Sequence, residues 1–398
     1  MAGDSIIDKT LFDRTIELKA LSVEAGLVAK IIAQHKGSLW HIPRRRPVIP
    51  DADPKRRIIL FKDDIPASAA ELGLPMTHSV HLSYEDASFE EVMRRILPLD
   101  IDPPGSFESI GHIAHFNLRD ELLPFGAQIG QALLDKHGQY RTVLTKIGTL
   151  SGAFRTFPFR LLAGDSDFEA EVKEGGFSLV VPFTDCYWNS RLSGERVRLL
   201  EFFKKGDTVI DMFAGVGGLA VMAGRKGCKV YANDLNPAAV EAIKKNSEKN
   251  KIDLAKINCG DARDFVRNVI KDAIAYSEND IHFIMNLPEI AIDFLNVFPG
   301  LINSPSKRFF SYTHCFARAN PPEEEIAPRV MNALGLSNPQ QLTSLNFKVV
   351  PVRDVAPNKI MYCVQLQLTP ELLSGLVFDE SCLEQDELVN NKKLKLDM

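Results

Sequence analysis

Val209-Ile210-Asp211-Met212-Phe213-Ala214-Gly215-Val216-Gly217-Gly218 is an apolar strand that runs into a glycine-rich turn and then into a helix from Leu219. Glycines let the backbone pass close to a bound ligand, and a helix amino terminus offers free N–H groups to a carboxylate or phosphate. Dinucleotide enzymes and S-adenosylmethionine (AdoMet) enzymes share such a turn, so the neighbouring strand ends must discriminate. The next strand closes on Val230-Tyr231-Ala232-Asn233-Asp234, nineteen residues past Gly215. That spacing sets the Asp234 carboxylate where a ribose diol lies across the carboxyl edge of a sheet. The third strand closes on Cys259-Gly260-Asp261-Ala262, where Asp261 can accept from an adenine amino group. Singly, each aspartate could be a helix cap. Together, at successive strand ends, they form one nucleoside site, predicted to comprise Asp211, Phe213, Gly215, Gly217, Asp234, Leu235, Asp261, Ala262 and Asn286.

Outward from this turn, strand and helix alternate from about Ser193 onward, the pattern of a parallel sheet with helices on both faces. Seven strands are predicted: Thr208–Met212, Lys229–Asn233, Ala255–Cys259, His282–Met285, Arg308–Thr313, Phe347–Val352 and Met361–Leu368. The last two leave no room for a helix between them and should pair antiparallel, giving six parallel strands and one reversed. The expected fold class is α/β: a Rossmann-like domain that resembles those of class I AdoMet methyltransferases, preceded by two smaller α+β domains. Predicted boundaries are 1–83, 84–192 and 193–378, with a charged, apolar-poor tail at 379–398 expected to be disordered.

The first region shows a helix-like stretch from Val23 to Gln34, a basic turn at Pro43-Arg44-Arg45-Arg46-Pro47 and an apolar strand Ile58–Phe61. In the second, a helix from about Phe89 to Leu97 precedes a strand over Ser109–Arg119 and a helix from Phe125 to Lys136. Strands at Val143–Ile147, Phe168–Lys173 and Phe177–Val181 follow, the last two joined by Gly175-Gly176 as a hairpin turn.

With 398 residues, 45% hydrophobic and 25% charged, the chain suits two or three globular domains. Its net charge of -5 excludes a uniformly basic coat, so any nucleic acid must be gripped by local patches. The six cysteines show neither a CxxC pair nor ligand-like spacing to histidine, which points to a reducing compartment and no metal. Asp4, Asp8, Asp13 and Glu17 suit neither a secretory signal nor an acid-poor presequence, and no apolar run is long enough for a membrane span. A cytoplasmic protein is expected, with nucleus and mitochondrial matrix left open.

Two further segments carry chemistry. Asn286-Leu287-Pro288-Glu289, at the end of the fourth strand, sets an amide in a proline-stiffened turn that can hold a planar heterocycle. Enzymes acting on exocyclic base amines often have an aromatic where Glu289 stands, and the difference counts against amine chemistry. Tyr187-Trp188-Asn189-Ser190-Arg191-Leu192-Ser193-Gly194-Glu195-Arg196 leads into a helix, with Ser193 a candidate cap and Glu195 a first-turn carboxylate.

These segments, with Phe107–Glu121 and Val352-Arg353-Asp354-Val355-Ala356-Pro357-Asn358-Lys359, resemble the eukaryotic and archaeal tRNA guanine-37 N1-methyltransferase family, over about Leu11 to Leu368. The resemblance implies AdoMet as donor, a tRNA with guanosine at position 37 as partner, and a monomer whose amino-terminal domain checks the tRNA body. It implies Glu195 as the general base, with burial expected to raise its carboxyl toward the working range. It also implies Arg155 near the reacting guanine, with Arg160 or Arg191 as alternatives. Asn286 and Pro288 match the base-holding turn, and Arg119, Tyr187 and Arg191 are substrate-side candidates. Arg44, Arg45 and Arg46, with Lys55, Arg56 and Arg57, could grip phosphates or merely form a solvated loop. Two rival functions stay open: aminocarboxypropyl transfer to a tRNA base from the same cofactor, and RNA binding by a protein with a vestigial pocket.

Overall fold

A computed structural model of the chain describes residues 6–42, 45–148 and 158–376, which belong to two units: residues 1–148 with 158–167, and 149–157 with 168–398. The first unit opens with β1 (Arg14–Glu24), α1 (Val28–His35), β2 (Val48–Pro50), β3 (Arg56–Phe61), the single turn α2 (Ala67–Ala70) and β4 (Leu74–Leu82). The strands form an antiparallel sheet in the order β2-β3-β1-β4. Alternation along β3 sends Ile58 and Leu60 into one apolar cluster with Leu18 and Val80. Ile59 and Phe61 go into another with Val23 and Ile31. A sheet covered on both faces is written as an unbroken apolar run, as at Ile58–Phe61. The helix predicted from Val23 is shorter, because Val23 packs on the sheet as part of β1 and α1 begins only at Val28.

The rest of this unit consists of α3 (Phe89–Ile96), β5 (Phe107–Ile110), β6 (Ile113–Phe116), α4 (Gly126–Lys136), β7 (Thr142–Lys146) and β8 (Phe159–Gly164), with sheet order β5-β6-β7-β8. The strand predicted over Ser109–Arg119 is a hairpin instead, folded at Gly111, whose φ of +54° suits glycine. Val92 and Met93 of α3 meet Ile129 and Leu133 of α4 over Phe116. Arg45 joins the two halves of the unit. Its Nε and Nη2 donate to Asp86 at 2.6 and 2.7 Å, and Nη2 also donates to the His81 carbonyl at 2.9 Å.

The second unit runs β9 (Glu169–Glu174), β10 (Phe177–Pro182), α5 (Ser193–Phe202), β11 (Thr208–Asp211), α6 (Gly218–Arg225), β12 (Lys229–Asp234), α7 (Pro237–Lys249), β13 (Lys256–Cys259), α8 (Ala262–Tyr276), β14 (Ile281–Met285), β15 (Phe309–Ala317), α9 (Glu323–Leu334), β16 (Lys348–Ala356) and β17 (Lys359–Leu368). Its seven-stranded sheet has the order β13-β12-β11-β14-β15-β17-β16, and β17 alone is antiparallel to the others, the arrangement predicted from sequence. Val209 and Ile284 face a cluster with Leu199 and Leu219, while Ile210 and Phe283 face one with Phe265 and Val330.

The β9–β10 hairpin, assigned to the central domain from sequence, packs with this sheet instead. Asn246 on α7 accepts from the Val180 amide at 2.6 Å and donates to its carbonyl at 2.9 Å. Asn250 does the same for Ser178, at 3.2 and 2.8 Å. Two side-chain amides thus satisfy the outer edge of β10, which an exposed strand would leave open. Among the described residues no helix is long and apolar enough to cross a membrane. The predicted tail at 379–398 lies outside them.

Candidate active site

The carboxyl edge of β11, β12 and β13 is assembled from backbone and short polar side chains. Gly215 and Gly217 have φ of +55° and +83°, which glycine adopts at least cost, and a Cβ on Gly215 would meet nothing within 4 Å. The Gly215 amide donates to Asp234 Oδ2 at 2.9 Å, and the Asn236 amide donates to Oδ1 at 2.9 Å. Burial pushes the Asp234 carboxyl up, against the pull of these amides. Asn233, buried beside it, donates to the Met212 carbonyl at 3.1 Å and the Gly260 carbonyl at 3.0 Å, and accepts from Asn258 at 2.7 Å. One side chain therefore holds three strand ends in register, a role that its place before Asp234 in the predicted strand did not signal.

Asp261 does cap α8: Oδ1 accepts from the Arg263 amide at 2.8 Å and the Asp264 amide at 3.4 Å. Its carboxylate is exposed, so capping through Oδ1 is compatible with a second contact at Oδ2. Ala262 is buried beneath it, and Leu235 is exposed beside it. Phe213 packs edge-on against Phe294, ring centroids 4.9 Å apart. Asp211 is buried, and its Oδ1 has no partner among the described residues. Burial first, and repulsion from Asp234 second, push its carboxyl up to about 7, while the Phe213 amide and His314 pull the other way.

Glu195 lies in the first turn of α5, but Ser193 provides no side-chain cap and the Glu195 carboxylate does not turn back on the helix. Instead Arg198 grips it with two bonds, Nε to Oε2 and Nη2 to Oε1, both at 2.7 Å. His314 on β15, fully buried, lies with Nε2 2.7 Å from Oε1. Burial alone would raise the Glu195 carboxyl, as the sequence led us to expect. The Arg198 and His314 hydrogen bonds outweigh it, and the group titrates low, at about 2. His314 is pushed the opposite way: burial opposes its charge, while Cys363 and Glu195 favour it. Cys363 of β17 completes a buried trio whose donor atoms lie within 4.8 Å of one another. With Arg198 on both oxygens, the carboxylate is already neutralised by a cation.

Register places this cluster on the cofactor edge. Asp211 pairs with Ile284 and Ile284 with Tyr312, so the next residues on that face are Asn286, just past the end of β14, and His314, within β15, on the side covered by α5. The Asn286 side chain is half-buried and makes no hydrogen bond among the described residues, and Pro288 stands in the turn that the Ile290 and Ala291 amides close on the Leu287 carbonyl at 3.0 and 2.8 Å. Asn189 is a further organiser. Its Oδ1 accepts from the Arg191 amide at 3.0 Å and from Arg353 Nη1 at 3.3 Å, and its Nδ2 donates to Tyr187 Oη at 3.2 Å. Arg196 clamps the segment from the other side, bonding Glu174 at 2.5 and 2.6 Å and covering the Trp188 ring at 4.7 Å.

Predicted site residues thus divide. Asp211, Gly215, Gly217, Asp234, Leu235, Asp261, Ala262, Asn286, Pro288 and Glu195 share the carboxyl side of one sheet, with Tyr187 and Arg191 on the adjoining segment. Arg119, Arg45, Arg46 and the alternative Arg160 belong to the first unit. Arg119 there is bonded to the Asp102 carbonyl at 2.9 Å and to Glu121 at 2.8 Å. Arg45 is committed to Asp86, and Arg56 to Ser22 through Nε at 2.8 Å and Nη2 at 2.6 Å, so neither is a free phosphate clamp. Arg155 and Arg44 lie outside the described residues. His314, Arg198, Asn233 and Arg353 were missed from sequence.

Known proteins bear on this arrangement. Residues 170–304 match the TRM5/TYW2 methyltransferase domain, and residues 89–167 match the TYW2 N-terminal domain. A tRNA (guanine(37)-N(1))-methyltransferase of Phytophthora infestans is 36% identical, with 93% of this chain and 93% of that protein covered. The Homo sapiens protein of the same name is 32% identical, over 93% of this chain and 77% of its own. Among solved structures, a complex of aTrm5 with tRNALeu has a TM-score of 0.63 at 20% identity, covering 88% of this chain and 99% of that one. Trm5b from Pyrococcus abyssi gives 0.60 at 22% identity, over 88% and 99%. These two likenesses establish the shared fold.

Proposed function

This chain belongs to the tRNA (guanine(37)-N1)-methyltransferase family, and from that premise we propose that it methylates N1 of guanosine-37 in tRNA with AdoMet as donor, through the carboxyl edge described above. The observation that carries the reading is the near full-length match to proteins of that name, together with a buried carboxylate, Glu195, on the cofactor edge.

The residues present fit the donor. Open space beside Gly215, a buried Asp211 oxygen without a partner, and Asp234 at a strand end suit a cationic nucleoside. Asp234 would hold the ribose, Asp261 and Ala262 the adenine, and Asp211 would complement the positive charge. When bound, AdoMet supplies an electrophilic methyl group that needs positioning and no further activation.

The acceptor sets the harder task, because guanine N1 carries a proton and its lone pair is delocalised. Glu195 takes that proton, Asn286 and Pro288 hold the base plane, and an arginine relieves the charge gathering on O6. Arg155 is the family's candidate for that arginine. Arg353, bonded to Asn189, is a described guanidinium tied to the segment that leads into α5, and unlike Arg198 it is not spent on Glu195. A base 3′ to the anticodon must be unstacked before it can reach the edge, which makes the shape of the RNA part of recognition. We take the enzyme to act as a monomer.

The match of residues 89–167 to the TYW2 N-terminal domain keeps aminocarboxypropyl transfer in view. Incubation of unmodified tRNA with AdoMet labelled separately on the methyl and the carboxypropyl carbons tests the reading. Methyl label in 1-methylguanosine at position 37 is expected. Carboxypropyl label alone would exclude methylation, and no cofactor binding by calorimetry would leave a vestigial pocket.

A further inference from the structure

The hydrogen bonds around Glu195 can be counted against what a carboxylate accepts, two at each oxygen. Oε1 has two, from Arg198 Nη2 and from His314 Nε2, each at 2.7 Å. Oε2 has one, from Arg198 Nε at 2.7 Å. Among the described residues one acceptor position is therefore left, and it is on Oε2. His314 is fully buried on β15, while the Glu195 side chain it touches keeps a small exposed part.

We propose that His314 is a positioning residue that occupies Oε1 and so makes Oε2 the atom that accepts the proton of guanine N1. This rests on reading Glu195 as the base. The N1–H bond breaks and an Oε2–H bond forms, the electron pair stays on N1 for the incoming methyl group, and the proton later passes to solvent. Arg198 alone would hold the carboxylate in its own plane yet leave both oxygens able to accept. The second donor on Oε1 removes that ambiguity, and geometric selection of this kind is what turns a nearby base into an aligned one.

The ring faces a defined set of groups. Glu195 and Arg198 lie on the α5 side, Cys363 lies on β17, and Asp211 on β11 is near enough to act electrostatically. His314 Nδ1 is buried and has no partner among the described residues. The geometric hydrogen bond of the ring is therefore the one from Nε2 to Glu195, with Cys363 close by on β17.

Two amide substitutions separate this role from simple packing. In His314→Gln the side-chain N–H falls near the position of Nε2 and can still donate to Glu195. In His314→Asn it falls near Nδ1 and cannot reach. Steady-state kinetics should leave Gln within about threefold of the parent kcat, while Asn loses about tenfold to a hundredfold with KM for tRNA and AdoMet little changed. An acid loss of kcat that traces to Glu195, out of reach in the parent, should also move toward the accessible pH range in the Asn variant, because a buried carboxylate that loses a donor becomes harder to ionise. Equal behaviour of the two variants, whether both active or both impaired, would overturn the proposal. Undiminished turnover by Glu195→Gln, run alongside, would instead remove the base reading on which it stands.

Discussion

The Gly215 amide and the Asp234 carboxylate meet at 2.9 Å, so the glycine-rich turn and the next strand's terminal acid form one structural piece. The bond closes the floor of the cofactor edge before any ligand arrives, because it spends an amide N–H on the protein itself. Asp234 is left to present its remaining acceptor positions outward.

Alanine at the two turn glycines should separate fold from binding. At Gly217 a Cβ would lie 3.2 Å from Ile243 as well as demanding a φ of +83°, so Gly217→Ala should lose about 2 kcal/mol or more of stability. At Gly215 the φ of +55° costs about 1 kcal/mol and the added methyl points into open space. Gly215→Ala should therefore fold nearly as well as the parent, yet bind AdoMet at least about tenfold more weakly, since that space belongs to the ligand. Thermal denaturation and calorimetric titration read the two quantities independently.

Replacement of Glu195 by Gln should keep cofactor and tRNA binding and lower turnover by about 10² to 10⁴-fold, the range that proton removal by a positioned base contributes. Single-turnover rates with saturating enzyme check it, and a rate equal to the parent's would take Glu195 out of the base role. Because the carboxyl titrates at about 2, Glu195 is ionised at every pH at which the protein works, and no acid limb in the parent's kcat near pH 6 should trace to it.

What the sequence revealed and what it hid follow from the range of the interactions. Asp211, Gly215, Asp234 and Asp261 were legible because each stands at or just past the end of a strand, so a local pattern announces its position. The hairpin at Gly175-Gly176 was legible for the same reason, but its allegiance was not. That depends on Asn246 of α7 and Asn250 at its carboxyl end, more than sixty residues away. His314 was invisible because it bonds Glu195 across 119 residues and lies one residue past the strand predicted at Arg308–Thr313. A histidine amid the buried run Phe309–Ala317 was the one available hint. The mistaken expectation for the Glu195 carboxyl had the same origin: burial can be guessed from a helix face, but partners such as Arg198 and His314 cannot.

Arg45 illustrates how a residue drawn as an RNA contact turns out to have work inside the fold. Its forked bond to Asp86 links the amino-terminal sheet to the segment before α3, with Asp86 buried and Arg45 over a third exposed. Solvent screening at the arginine discounts the pair, so Arg45→Ala should cost about 1 kcal/mol. Asp86→Ala should cost more, about 2 kcal/mol, since it also strips acceptors from Ser83 and leaves the guanidinium unpaired. Arg46→Ala, with an exposed side chain, should leave stability within about 0.5 kcal/mol. If the basic turn grips phosphates, Arg46→Ala should also lower tRNA affinity and flatten its salt dependence by about one unit of slope. Denaturant melts and filter binding at several salt concentrations distinguish these outcomes.

The pH dependence of cofactor binding should trace to Asp211. Burial holds its carboxyl at about 7, above its unfolded value, so in the free enzyme near neutrality a share of the molecules keeps this proton. For stability the sign is unfavourable to ionisation. Between the unfolded value near 4 and the folded value near 7 the folded chain holds a proton that the unfolded chain has released, and stability falls as pH rises through that window. For binding the sign reverses, because a cationic ligand beside Asp211 favours its charged form. AdoMet affinity should climb by up to about tenfold per pH unit below pH 7 and level off above it, with proton release on binding at pH 6 to 7. Calorimetry in buffers of different ionisation enthalpy measures that release directly. Asp211→Asn should bind AdoMet weakly and without pH dependence, and should raise the thermal midpoint of the free enzyme at pH 8, since the amide never has to ionise in a buried site. Proton uptake, or an Asn variant with the parent's pH profile, would show that the cofactor's charge is met elsewhere.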